Sequence, residues 1–67
     1  MTHLVVSLIF EIRHHSGRWV VRLGNELYGD YLNGEQAQLD AIEAASEARE
    51  TGHEAEVWDR STDARVF

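Results

Sequence analysis

His14 and His15 are adjacent imidazoles that, with His3 or His53, offer ring nitrogens to a metal ion. Adjacent residues on an extended segment point to opposite sides, no His pair has helical ligand spacing, and Cys is absent, so no metal site is expected. Ser16, Ser46 and Ser61 lie in neither a nucleophile-elbow nor a Ser-x-x-Lys context. The glycines from Gly17 to Gly34 form no G-x-G-x-x-G pattern and have no Lys to hold phosphate. Glu43 and Glu47 are one helical turn apart, but on an acidic helical face, where carboxylates are solvated rather than paired for acid/base work. We therefore expect neither catalysis nor a cofactor. Arg13, Arg18 and Arg22, with Val20 and Trp58, form the remaining constellation. Trp and Arg dominate binding hot spots, which makes these five residues the candidate partner-binding set. The same arginines also suit ordinary cross-strand charge pairs with Glu11 and Glu56.

Period-2 patterns must place that set. Leu4, Val6, Leu8, Phe10 and Ile12 alternate with His3, Val5, Ser7, Ile9, Glu11 and Arg13 and predict a long first strand with one mainly buried face and some apolarity on both. His14 to Gly17 reads as a turn, and Arg18 to Leu23 as a second strand with Trp19, Val21 and Leu23 on one face. A four-residue loop would set Ile12 opposite Trp19 and Phe10 opposite Val21, whereas a two-residue loop at Ser16-Gly17 would shift the pairing by two and leave the faces unchanged. Gly24-Asn25 predicts a tight turn, and residues 26–32 a weaker third strand bent or bulged at Gly29.

Asn33 suits a helix N-cap with Gln36 three residues on, and a helix is expected from about Gly34 to Thr51 with Gly52 as its stop. Ala37, Ala41, Ile42, Ala44, Ala45 and Ala48 form its apolar stripe, opposite Asp40, Glu43, Glu47 and Glu50, and Leu39 falls outside the stripe. Residues 54–59 and 64–67 read as two further strands joined by a turn over residues 60–63. The expected fold is α+β, β-β-(β)-α-β-β: an antiparallel sheet of four to five strands with one helix on one face. If Ala55 and Val57 point to the helix, Trp58 joins Arg13, Arg18, Val20 and Arg22 on the open face.

A chain of 67 residues is one domain, and at this size only about 60% of the unfolded surface is buried on folding. Without Cys there is no disulfide to reinforce a thin core. No apolar run approaches the roughly 20 residues of a membrane span and the start lacks a basic leader, so a cytoplasmic location is expected. The net charge of -6 is unevenly spread: residues 1–25 carry +2, residues 26–56 carry -8, and the remainder is balanced. Such acidity disfavours phosphate-backbone binding by the whole surface and leaves only the arginine hairpin for it.

The segments Trp19-Val20-Val21-Arg22, Ala41-Ile42-Glu43-Ala44-Ala45 with Ala48, and Gly52 with Glu54-Ala55-Glu56-Val57-Trp58 resemble a family of small bacterial domains of unknown function. Its marks are a Trp-x-Val hairpin strand, an Ala-Ile-x-Ala-Ala helix and a closing β-hairpin. The likeness spans residues 4–67 and implies a fold without a known chemistry. The chain departs from it in Ser61-Thr62-Asp63, where an Asp-Gly type turn is usual, and in a longer first strand. Two functions follow as expectations. The first is a non-catalytic protein-interaction domain, with a protein partner or a second copy on its open sheet face or its long first strand. The alternative is nucleic-acid binding through Arg13, Arg18 and Arg22.

Overall fold

The computed structural model describes residues 5–67. Leu4, assigned above to the first strand, and His3, a metal-ligand candidate, lie outside the described residues. The elements are β1 (Ser7–His15), β2 (Arg18–Leu23), β3 (Glu26–Tyr31), α1 (Gly34–Glu50), β4 (Glu54–Asp59) and β5 (Ala64–Arg65), in one five-stranded sheet of order β3-β2-β1-β4-β5.

The sheet is mixed and not antiparallel throughout, because β1 and β4 run parallel, with Phe10 beside Val57 and Ile12 beside Asp59. The cause is the direction of travel. β1 to β3 form an up-down-up meander, and α1, 17 residues and therefore about 25 Å long, carries the chain back along the sheet so that β4 starts at the same end as β1. Alternating hydrophobicity reads the same in a parallel and an antiparallel strand, so the pattern of residues 54–59 is blind to this difference. The order also makes β1 a central strand, which corrects its expected use as a sheet edge along its whole length.

The first hairpin takes the two-residue loop. His15 pairs with Arg18, Ile12 with Val21 and Phe10 with Leu23, so His14 and His15 end β1 rather than forming the turn. Ser16 (φ 52°) and Gly17 (φ 74°) both adopt left-handed backbone, the conformation whose twist matches a hairpin's strands. The face assignment survives the change of register, as a shift of two residues requires. In β3 the pairing slips between Val21 and Arg22, which sends Tyr28 edge-on against Phe10 at 5.3 Å on the helix side and Asp30 to the opposite face. At this bulge the Tyr31 ring lies over Gly29 where a Cβ would stand, so a larger residue there would have to push the ring aside.

Asn33 caps α1 through its Oδ1, which accepts from the Gln36 N–H at 2.8 Å. The Gln36 side chain donates to Asp40 at 3.1 Å instead of returning to the cap, so half of a capping box forms. Ala37, Ala41 and Ala45 are fully buried, and Ile42, Ala44 and Ala48 pack beside them. They close over Phe10, Ile12, Val21, Ala55 and Val57, one row crossing the three middle strands. Small side chains permit this close approach, and Gly34 lets the start of the helix press on the Trp19 ring. Leu39 stays 58% exposed on the outer side of the helix. The last strand is shorter than expected, but Val66 and Phe67 continue to bond Val57 and cover the core.

Two stability measurements test this account. Ile12→Ala should cost about 2–5 kcal/mol, enough to unfold much of a domain this small, as read by denaturant titration. Ser16→Asn should raise stability by about 1 kcal/mol, because Asn tolerates the left-handed conformation that Ser adopts there only at a cost.

Candidate functional site

The helix covers one face of the sheet, and among the described residues the other has no second layer. Arg13, Arg18, Val20, Arg22 and Trp58 all project to that open face, since each alternates with a residue of the helix side. Arg13 stands opposite Val20, Arg22 opposite Glu11, and Glu11 beside Trp58. The constellation is thus brought together on one surface, with Ile9, 44% exposed, beside Glu56.

Two further residues organise this face. Arg60, read from the sequence only as part of a turn, folds back so that its Nε donates to Glu11 at 2.6 Å and its guanidinium lies 4.7 Å from the centre of the Trp58 ring. Trp58 Nε1–H donates to Glu56 at 2.6 Å, and Arg65 reaches the same carboxylate at 3.6 Å. Asp30 is the other addition, accepting two bonds from Arg18 at 3.2 and 2.7 Å in a forked pair. Its place depends on the β3 bulge, and the signal for it was Gly29. Arg60 had no such signal, because its partner Glu11 is 49 positions away.

The arginines are therefore engaged to different degrees. Arg18 is neutralised by Asp30, and Arg22 donates to the Asn25 carbonyl at 2.7 Å. Arg13 lies 3.5 Å from Glu11 and remains half exposed, the loosest of the three. Bonding to Arg60, with a smaller effect of Arg13, holds the Glu11 carboxyl below its ordinary value against the opposing effect of burial. On the helix side, burial and the neighbouring Asp40 push the Tyr31 hydroxyl up to about 12.

Two of the histidines have structural tasks. His14 stacks on Trp19 at 4.2 Å between ring centres, and His53 Nδ1 accepts the Val6 N–H at 3.3 Å. Among the described residues no group of three His, Asp or Glu is placed to hold a metal ion, and no helix is long and apolar enough to cross a membrane. Ser7 donates to Glu54 at 2.9 Å on the surface without a histidine between them.

At one end of the open face the sheet has a notch. Pairing of β1 with β2 stops at Phe10 and Leu23, while β1 continues beside β4 back to Ser7. The resulting concavity, about 470 Å³ and open to solvent, is lined by Ser7, Leu8, Ile9, Leu23 and Gly24, with Glu11 and Arg60 at its rim. No family model, curated protein or solved structure matches this chain.

The Glu11–Arg60 pair makes a pH prediction. Because Glu11 titrates lower folded than unfolded, it adds stability above its ordinary value of 4.5, and this is lost as pH falls through the depressed folded value. Glu11→Gln should flatten the acid limb of the stability profile, measured by unfolding across the acidic range, and leave the neutral-to-alkaline profile parallel to that of the unaltered protein.

Proposed function

We propose that the chain is a non-catalytic protein-interaction domain whose contact surface is the open sheet face. The observation that carries this reading is the composition of that face: Trp58 roofed by Arg60, with Ile9 and Val20 left between charged groups that are already paired. Arg13, Arg18, Arg22, Arg60 and Arg65 share the surface with Glu11, Asp30, Glu54 and Glu56, so it is close to neutral and most of the chain's negative charge lies on the helix side. An aromatic and arginine centre is the composition enriched where protein partners make their strongest contacts, and the near-neutral sum leaves no net charge to repel them.

Nucleic-acid binding draws less support. Arg18 and Arg22 already satisfy Asp30 and Asn25, and a phosphate backbone would have to displace those partners beside several carboxylates. The resemblance to small bacterial domains of unknown function fits an interaction module equally well and brings no chemistry of its own.

Amide-shift mapping tests the reading. Duplex DNA and single-stranded RNA at low salt should leave the shifts of Arg13, Arg18 and Arg22 unmoved, and movement of all three would replace this proposal with the nucleic-acid one. In cross-linking of the intact protein in its native extract, Val20→Glu on the open face should abolish the cross-linked protein set, whereas Glu43→Gln on the helix should preserve it. Retention by Val20→Glu with loss by Glu43→Gln would place the contact surface on the helix instead.

A further inference from the structure

Within β1 the main-chain groups alternate in the neighbour they serve. The Glu54 N–H donates to the Val6 carbonyl and the Arg60 N–H to the Ile12 carbonyl, so even-numbered residues of this strand turn their polar groups to β4. Odd-numbered residues serve the other side, where β2 ends at Leu23. The N–H and C=O of Val5 and Ser7 therefore point into the notch, with no strand of the described residues beside them. The corresponding overhang on the opposite flank is treated differently. Where β4 extends past β5, the Arg49 side chain donates twice to the Ala55 carbonyl at 3.0 and 2.8 Å and lies 4.2 Å over the Phe67 ring. One unpaired stretch is sealed by a cation, whereas none of the described residues closes the other.

The open stretch, Val5-Val6-Ser7-Leu8-Ile9, is uncharged, rich in β-branched residues and free of Pro and Gly. Sheet edges are normally protected by just such interruptions. From these observations, and resting on the reading of this chain as an interaction domain, we infer that the notch receives the same five residues of a second copy, forming a two-fold antiparallel strand pair. The segment is self-complementary. With Ser7 on the axis, Val5 meets the partner's Ile9 and Val6 meets the partner's Leu8, and the hydrogen-bonding positions of the two strands coincide.

Charge admits a second copy at this place and opposes one at the helix. The outer helix surface carries Glu43, Glu47 and Glu50, so two copies meeting there would set acid against acid. Residues 5–9 add no like-charge contact to their own pairing. A two-fold axis of this kind runs perpendicular to the sheet and places both acidic helices on the same side. Their repulsion is then long-range and screened by salt, so the dimer should strengthen as ionic strength rises, opposite to an ion-paired interface.

The test is sedimentation equilibrium of the full chain from micromolar to millimolar concentration, at low and high salt, combined with amide hydrogen exchange. The expected result is twice the chain mass at the upper concentrations, more so in high salt, with the Ser7 amide slowed at least about tenfold as dimer forms and the Leu8 amide, bonded to β4, unchanged. Ser7→Pro removes a donor that faces only the notch and should give a folded monomer. Ser7→Thr should still dimerise, which controls for a general effect of substitution at this site. A monomeric mass throughout, or a Ser7→Pro protein that is folded and dimeric, would overturn the inference. If the mass stays monomeric while Val20→Glu still abolishes cross-linking, the edge pairing alone fails and the open-face reading stands. Should Ser7→Pro not fold, concentration-independent exchange at Ser7 in the unaltered protein decides against the inference equally well.

Discussion

Everything else in this fold depends on how closely α1 can lie on the sheet. Ala37, Ala41 and Ala45 are fully buried and contribute little area each, so the larger apolar surface must come from below, from Ile12, Val21 and Val57. Those three come from three adjacent strands, β1, β2 and β4, and only a helix lying near them can exclude water from all three at once. A larger residue in the alanine stripe would lift the helix and open the row. The thinness of the core is thus a consequence of chain length resolved by side-chain size, with no disulfide to compensate.

The same constraint determines what remains for contact with other molecules. One helix of 17 residues covers one face of a five-stranded sheet, and the described residues place no second layer on the other. The uncovered face is stabilised from within by charge-assisted bonds, among them Glu11 with Arg60 and Arg18 with Asp30. The last turn of the helix also matters beyond its own end, since Arg49 spans from α1 to the edge of β4 and covers Phe67. A cation near a helix C-terminus is favoured by the dipole, and here it satisfies an unpaired strand carbonyl as well.

Much of the secondary structure was legible because local patterns determine it. The alternation of Trp19, Val21 and Leu23, the alanine stripe, the Asn33 cap and the bulge at Gly29 each depend on residues within a few positions of one another. The faces of β1, β2 and β4 followed, and with them the gathering of Arg13, Arg18, Val20, Arg22 and Trp58. The parallel pairing of β1 with β4 was not legible, because strand direction depends on the path of α1 and leaves no mark on the alternation of residues 54–59. The hairpin register was open for a different reason: both loop lengths keep Ile12 and Val21 inward, and the choice rests on the left-handed backbone at Ser16 and Gly17.

Charge shows most clearly how a linear reading differs from a spatial one. Along the sequence the first hairpin carries +2 and the following stretch -8, which suggests a basic surface set apart from an acidic one. In the folded chain the bulge in β3 lifts Asp30 onto Arg18, and β4 brings Glu54 and Glu56 to the same face as Arg13 and Arg22. Carboxylates from the acidic stretch thereby neutralise the hairpin, while those on the outside of α1 stay together. The polarity that survives folding lies across the sheet, between a nearly neutral open face and an acidic helix, and not between the two ends of the chain. A nearly neutral face sets up no net repulsion against another protein surface, whereas the acidic helix repels anions and second copies alike.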